Sequence, residues 1–176
     1  MRRDAETNYL RLLHAGRLAM QEAGGTASIE AICATAGVTR ATFYRHFPDR
    51  AKLHIAVLDL ELEEMAKALA VPDIAPLAFL RMLTDMTTIY DRYLLAMPEL
   101  PEYAEAESNG DKIIAVIAPS LERAQALGLI RQDVTGYDVM VACRMAGSDW
   151  RLDRQASQKD ALEHRLSLIL KGLAGT

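Results

Sequence analysis

The sequence predicts an all-α protein. Residues with high helix propensity dominate nearly everywhere along the chain, and strand-like segments are scarce. Apolar residues recur at three- and four-residue steps, as they do on one face of a helix. Glycines, prolines and short polar turns separate these segments. With 51% apolar and 25% charged residues among its 176, the chain is able to bury a core.

Four helices are predicted within about the first 70 residues. Each is preceded by a side chain that can cap the free N–H groups of a first turn, and these are Asp4, Ser28, Thr39 and Asp49. The helices cover about residues 4–23, 29–35, 40–46 and 50–71. Gly16 lies inside the first helix, at some cost in propensity. We expect it to permit the close approach of a neighbouring helix.

Residues 28–47 are the most informative segment. Two short helices joined by a tight turn with a glycine, here Gly37, form a helix-turn-helix, whose second helix fits the major groove of DNA. The outward side chains on that helix are Thr39, Arg40, Ala41, Thr42, Tyr44, Arg45 and His46. Such hydroxyl, guanidinium and small groups contact phosphates, base edges and thymine methyl groups. An ordinary helical hairpin with exposed arginines is the alternative.

Beyond Pro72 the predicted helices are longer and amphipathic. They cover about residues 75–96, 99–107, 111–127, 136–152 and 159–173, with a turn at 128–133. The last helix carries the clearest apolar stripe, formed by Leu162, Leu166, Ile169, Leu170 and Leu173.

Composition excludes several classes of protein. Cys33 and Cys143 are far apart and form no CxxC pattern, so we expect neither a disulfide framework nor a metal site. No apolar run approaches the roughly 18 residues of a membrane span, and the charged N-terminus is unlike a signal peptide. The sequence has no GxSxG, P-loop, HExxH or GxGxxG motif. We therefore expect a cytoplasmic protein that is not an enzyme, needs no cofactor and has no membrane partner.

The charge is unevenly distributed. The whole chain has a net charge of -4, which taken alone argues against nucleic acid as a partner. Residues 1–50, however, hold seven arginines and no lysine against five acidic residues. Residues 51–176 hold 13 basic and 19 acidic groups. A basic N-terminal head is thus joined to an acidic body.

The segment Ala-Gly-Val-Thr-Arg-Ala-Thr-Phe-Tyr-Arg-His-Phe-Pro-Asp-Arg, residues 36–50, resembles the TetR family of bacterial transcriptional regulators. The glycine, cap, aromatic pair and post-proline cap stay in register with the family over about residues 5–65. The resemblance implies a three-helix DNA-binding domain at 1–50, connected through the fourth helix to a larger helical domain at 51–176. That second domain would bind a ligand and dimerise.

The resemblance also implies roles for individual residues. Thr39 caps the recognition helix and touches a phosphate, Tyr44 and His46 bracket the DNA backbone, and Arg50 stands where a lysine usually contacts a phosphate. The full set of predicted DNA-contacting residues is Ser28, Thr39, Arg40, Ala41, Thr42, Tyr44, Arg45, His46 and Arg50.

For the second domain, the resemblance implies an unidentified small-molecule effector in a cavity between helices. The candidate lining residues are Phe79, Met82, Met86, Tyr90, Tyr93, Tyr103, Met140 and Trp150. Packing in an ordinary core is the alternative for each of them. The last two helices would join two copies of the chain and bury the stripe Leu162, Leu166, Ile169, Leu170 and Leu173.

The resulting hypothesis is a sequence-specific regulator, a ligand-responsive repressor that reads a palindromic operator in double-stranded DNA as a homodimer. The alternative is a helical ligand-binding or enzymatic bundle without DNA binding, whose basic head is incidental.

Overall fold

The computed structural model describes residues 2–23, 27–96, 104–147 and 157–175, and in these it has eight helices and no strand. The helices are α1 (Arg2–Ala23), α2 (Ile29–Ala36), α3 (Arg40–His46), α4 (Arg50–Leu69), α5 (Ala78–Ala96), α6 (Ala104–Ala126), α7 (Gly136–Gly147) and α8 (Gln158–Leu173). The chain divides into two compact units. The first comprises Met1–Glu61 and Ile89–Pro101, and the second comprises Leu62–Thr88 and Glu102–Thr176. The all-α prediction is confirmed.

The core of the first unit lies where α1, α2, α3 and the beginning of α4 meet. Its largest fully buried side chains are Leu12, Ile32, Phe43, Leu53 and Val57. A Cβ on Gly16 would lie 3.1 Å from the side chain of Leu53 and 3.2 Å from that of Val57. Gly16 therefore allows α1 and α4 to approach closely, as expected from the sequence.

The first unit extends beyond residue 50 because the start of α4 belongs to its core. Leu53 and Val57 are buried there, and Arg17 Nε on α1 donates to Glu61 Oε1 on α4 over 2.6 Å. The division into a DNA-binding domain at 1–50 and a ligand-binding domain at 51–176 stays a prediction.

The beginning of α1 differs from the sequence prediction. The helix starts at Arg2, so Asp4 lies within its first turn and is not the cap. A carboxylate in the first turn still interacts favourably with the partial positive charge of the helix N-terminus. The sequence signal was therefore correct for a helix start and wrong by two residues for its position.

The sequence predicts two helices at 99–107 and 111–127, but the described residues of both form one helix. α6 runs continuously over Ala104–Ala126, while residues 99–103 lie outside the described part of the chain. The polar residues before Asp111 and the glycine at 110 disfavour a helix by no more than about 1 kcal/mol each. Burial of Ile117, Leu121 and Ala124 along the same helix outweighs that preference.

The second unit has its own core. Its most deeply buried side chains include Phe79, Leu83, Ile117, Ile130, Val139 and Cys143. Gln125 Nε2 donates to the carbonyls of Arg131 and Val134, each over 2.9 Å, and so holds the turn after α6. The Arg131 N–H donates to the carbonyl of Leu173 over 3.0 Å, which ties this turn to the end of α8.

Both cysteines serve as small core side chains. Cys33 and Cys143 are free and buried, and burial raises the pKa of both thiols, that of Cys143 to about 11. Within the four described ranges, no group of three or more His, Cys, Asp or Glu residues is placed to hold a metal ion. No helix in those ranges is both long and apolar enough to cross a membrane.

His54 makes the stability of the chain dependent on pH. It is 1% exposed, and burial, with a smaller effect of the Arg50 charge, lowers the pKa of its imidazole from 6.5 to about 3. Between these values the unfolded chain binds a proton that the folded chain does not. The contribution of His54 to the free energy of unfolding is therefore greatest above pH 6.5 and falls as the pH decreases, with an expected loss of about 1.4 kcal/mol at pH 5.5.

Urea unfolding at pH 7.5 and 5.5 checks this expectation. The difference between the two pH values should shrink in His54→Leu, which has no titrating group at that position. The difference should persist in His14→Leu, which changes an exposed histidine and leaves His54 in place. An undiminished difference in His54→Leu would show that another group causes the acid sensitivity.

Candidate nucleic-acid interface

The turn between α2 and α3 is fixed by caps on both sides. Ser28 Oγ accepts a hydrogen bond from the N–H of Ala31 over 3.1 Å, at the start of α2. Gly37 ends α2 with φ +66, a left-handed conformation that glycine adopts without strain. Thr39 Oγ1 accepts from the N–H of Thr42 over 3.2 Å, at the start of α3. The predicted helix-turn-helix is therefore present, with the caps that the sequence indicated.

One side of α3 is fixed in the core of the first unit. Phe43 is fully buried, and Phe47, which follows the helix, is almost fully buried with its ring centroid 6.0 Å from that of Phe43. The predicted outward side chains are all at least partly accessible. Thr39, Arg40, Ala41, Tyr44 and Arg45 are exposed, and Thr42 and His46 are half-buried. The structure thus brings the predicted recognition residues together on one accessible surface.

Hydroxyl groups connect the beginning of this surface to an arginine. The hydroxyl oxygens of Thr39 and Thr42 lie 3.0 Å apart. Arg45 Nη2 donates to Thr42 Oγ1 over 3.2 Å, one turn further along α3. The three side chains form a row of hydrogen-bonding groups, which are the groups that hold phosphate oxygens and base edges.

Arg40, the first residue of α3, contacts a residue of α2 and a residue of its own helix. Its Nη1 donates to Glu30 Oε1, and its Nη2 lies 3.4 Å from the hydroxyl of Tyr44. The guanidinium carbon also lies 5.9 Å from the centre of the Tyr44 ring, a cation–π distance. The side chains of Arg40 and Glu30 are both 58% exposed, so the pair is open to a ligand. Sequence reasoning did not identify Glu30.

Aromatic rings hold the far end of α3. Tyr44 packs edge-on against Phe43, with ring centroids 5.4 Å apart. Tyr9 of α1 stacks on Phe47 at 5.3 Å, and its ring centroid lies 6.1 Å from that of His46. Tyr9 is 36% exposed, so an accessible aromatic ring from α1 lies beside His46. The sequence indicated neither contact, because the partners are more than 35 residues apart.

Two predicted contact residues already have roles within the fold. Arg50 is half-buried, and its Nη1 donates to the carbonyl of Ala27 over 2.9 Å. This hydrogen bond connects the start of α4 to the segment that precedes α2. Ser28 uses its oxygen as the cap of α2. Arg50 retains other N–H groups, whereas the Ser28 hydroxyl also donates to the carboxylate of Glu30, and contact with DNA by these two residues stays a prediction.

The predicted effector residues are placed differently from one another. Phe79 and Met86 are buried in the second unit, whereas Met82 and Met140 are half-buried. The side chains of the remaining four lie outside what the structure describes, and they are Tyr90, Tyr93, Tyr103 and Trp150. Buried Phe79 and Met86 have the placement expected for core packing.

A groove in the second unit was not predicted from the sequence. It has a volume of about 320 Å³ and is lined by Ala66, Leu69, Ala70, Ala115, Val116, Pro119 and Ser120. The lining is almost entirely small and aliphatic, and Ser120 is a buried polar residue within it. The signal in the sequence is the spacing of small residues three to five apart on α4 and α6.

The apolar stripe of α8 is used in part within the chain itself. Leu166 is buried, and the other four members, Leu162, Ile169, Leu170 and Leu173, are half-buried. Arg165 Nη1 donates to the carbonyl of Ala146 over 3.2 Å, which connects α8 to α7. The large apolar side chains that remain exposed on these two helices include Met145 at 67% and Leu168 at 52%. Dimerisation through the stripe stays a prediction.

Comparison with known proteins agrees with this architecture. Residues 12–57 match the model of a family described as bacterial regulatory proteins, tetR family. The TetR transcriptional regulator SCO0520 from Streptomyces coelicolor is 25% identical, with a TM-score of 0.68, over 96% of this chain and 99% of that one. A TetR transcription regulatory protein from Mycobacterium vanbaalenii is 22% identical, with a TM-score of 0.68, over 98% of both chains.

A gamma-butyrolactone receptor, described as an ArpA like protein, has a similar fold. It is 20% identical, with a TM-score of 0.56, over 97% of this chain and 90% of its own. No curated protein matches the chain.

The family match begins in α1 and ends in α4, so it covers the helices that form and support the accessible surface of α3. The similarity of fold extends through the second unit to nearly the whole chain. The chain is therefore similar to the TetR family of bacterial transcriptional regulators: residues 12–57 match the family model, and the fold of nearly the whole chain matches that of solved TetR regulators.

Proposed function

We propose that this protein is a transcriptional regulator, a ligand-responsive repressor that binds a palindromic operator as a homodimer. The observation that carries the proposal is the orientation of α3. Phe43 anchors the helix in the core, while Arg40 and Arg45 point outward beside a row of hydroxyl groups. A helix presented in this way can enter the major groove and read base edges.

The proposed dimer forms through α7 and α8. Met145 and Leu168 offer exposed apolar area on these helices, which two copies of the chain would remove from water. A two-fold dimer carries two copies of α3, and its operator therefore has two inverted half-sites, one helical turn apart or more.

Leu168→Asp is expected to weaken this dimer. The change replaces apolar area with a charge that the interface would have to desolvate, so the dimer dissociation constant should rise on the order of tenfold or more. Light scattering across a concentration series measures it. Leu127→Asp at the end of α6 is the matched control, since Leu127 is similarly exposed at 59%. Monomer alone at micromolar concentration in the unaltered protein would contradict the dimer.

The effector is proposed to bind in the second unit. Support comes from the aliphatic groove between residues of α4 and α6, where buried Ser120 supplies a polar group. Support also comes from the similar fold of a protein described as a gamma-butyrolactone receptor. An effector releases the operator only if it binds the DNA-free conformation more tightly than the DNA-bound one.

The fluorescent probe 1-anilinonaphthalene-8-sulfonate tests for the effector site. We expect the protein to bind it with enhanced fluorescence, and Ala66→Phe, which fills the groove, to reduce that signal. Ala34→Phe adds the same ring at an exposed position of α2 and should leave the signal unchanged. Equal fluorescence in the unaltered protein and Ala66→Phe would exclude the groove as the site.

Selection of duplexes from a random-sequence pool tests the proposed function as a whole. The pool should converge on a palindrome with two half-sites. Failure of a folded, dimeric protein to enrich any sequence would favour a helical ligand-binding or enzymatic bundle instead. The proposal includes an action in the cytoplasm, without a cofactor and without catalysis, because contacts with DNA and an effector are sufficient for it.

A further inference from the structure

The contact between Glu30 and Arg40 joins the two helices of the DNA-binding motif by their side chains. Glu30 lies in the first turn of α2, and Arg40 is the first residue of α3. The ion pair therefore spans the turn at Gly37 and fixes the guanidinium from the side of α2. Tyr44 contacts the same guanidinium from the side of α3. Arg40 thus has a defined position although it is exposed.

Glu30 is itself held in place. Hydrogen bonding to its own backbone N–H, the charge of Arg40 and a hydrogen bond from Ser28 lower the pKa of its carboxyl group. A carboxylate in the first turn of a helix also interacts favourably with the helix dipole. The Glu30 carboxyl group therefore remains ionised at neutral pH and keeps its ion pair with Arg40.

Acidic side chains also lower the net positive charge of the surface around Arg40. Glu30, Arg40 and Tyr44 line an open groove together with Asp49 and Arg50. Two carboxylates thus balance two guanidinium groups in this part of the predicted interface. Attraction to phosphate, which every DNA sequence offers equally, is reduced there.

We propose that Glu30 is a positioning residue for sequence specificity: it directs Arg40 toward base edges and restrains it from binding phosphate indiscriminately. This inference rests on the proposed function, since it requires that α3 reads DNA. An arginine with fixed direction can form the paired hydrogen bonds to a base that discriminate between sequences. An unrestrained arginine can instead follow the nearest phosphate.

The test compares Glu30→Gln with the unaltered protein on two duplexes, one selected by the unaltered protein from a random pool and one with the same bases scrambled. The ratio of the two affinities should fall roughly tenfold in Glu30→Gln. The dependence of log K on log salt for the scrambled duplex should become steeper by about 0.9 for each subunit, as one more phosphate is neutralised. Thermal stability should not change appreciably, because an exposed ion pair contributes little to it.

Two controls separate positioning from a general effect of charge. Glu63→Gln removes the same charge from an exposed ion pair, that with Lys67 on α4, and should leave the affinity ratio unchanged. Glu30→Gln in an Arg40→Ala background should also leave the ratio unchanged, because the group to be positioned is gone.

The outcomes are distinct. A preserved affinity ratio in Glu30→Gln, or an equal loss in the Arg40→Ala background, would overturn the inference while the proposed function stands. If the unaltered protein selects no sequence from the pool, the proposed function fails and the inference fails with it.

Discussion

Replacing Phe43 by alanine is expected to lower the free energy of unfolding of the first unit by about 3–5 kcal/mol, the usual loss for a buried phenylalanine. Phe43 is fully buried, and it is the residue of α3 that enters the core beside Leu12, Ile32 and Leu53. Its removal leaves a cavity and frees α3 from its support. Chemical denaturation followed by circular dichroism measures the effect, and the loss is a large fraction of the 5–15 kcal/mol typical of a domain.

The neighbouring residue provides the control for this change. Tyr44 is 46% exposed, so Tyr44→Ala should lose much less stability than Phe43→Ala. Phe43→Leu retains most of the buried volume and should fall between the unaltered protein and Phe43→Ala, which keeps the comparison useful if the alanine variant does not fold. Equal unfolding curves for Phe43→Ala and the unaltered protein would show that α3 is not anchored by this ring.

Replacing Arg40 by alanine is expected to weaken operator binding by about 1–3 kcal/mol and to relax specificity at the base pair it contacts. The side chain is exposed at the start of α3, where residues of a recognition helix reach base edges. Fluorescence anisotropy with the selected duplex gives the affinity. The fold and the dimer should be preserved, because Arg40 is accessible and outside the core.

A matched arginine distinguishes this effect from a loss of charge. Arg131 is exposed in the second unit and its guanidinium pairs with Asp133, so Arg131→Ala removes the same charge far along the chain. It should bind the operator like the unaltered protein at moderate salt, because Arg131 is not among the predicted DNA-contacting residues. If Arg40→Ala and Tyr44→Ala both bind like the unaltered protein, α3 is not the element that reads DNA.

The local signals of the DNA-binding motif were sufficient to predict it. Ser28 and Thr39 precede short apolar-patterned helices, and Gly37 stands where a left-handed residue ends α2. Each of these features depends only on residues within three or four positions. The same holds for the outward position predicted for Tyr44, which the structure confirms.

Features that depend on distant partners were not predictable in the same way. Arg50 donates to Ala27 across 23 positions, and Glu30 pairs with Arg40 across ten. No periodicity marks such side-chain contacts, since they are set by the crossing of helices. The continuity of α6 past Gly110 has a similar cause, because burial further along the helix outweighs local propensity.

The net charge of -4 is not evidence against DNA binding once the distribution of charge is considered. It first argued against DNA, but it averages a basic head and an acidic body. Even in the head, Glu30 and Asp49 balance Arg40 and Arg50 around one groove. We therefore expect weak binding to arbitrary DNA and a dependence on specific contacts, which salt affects less than a purely electrostatic interaction.

The ratio of affinities for a selected duplex and its scrambled counterpart, at physiological salt, tests the central claim most directly. A sequence-specific regulator should prefer its selected duplex by roughly 10³-fold or more. Equal affinities for the two duplexes, in a protein that is folded and dimeric, would contradict the account.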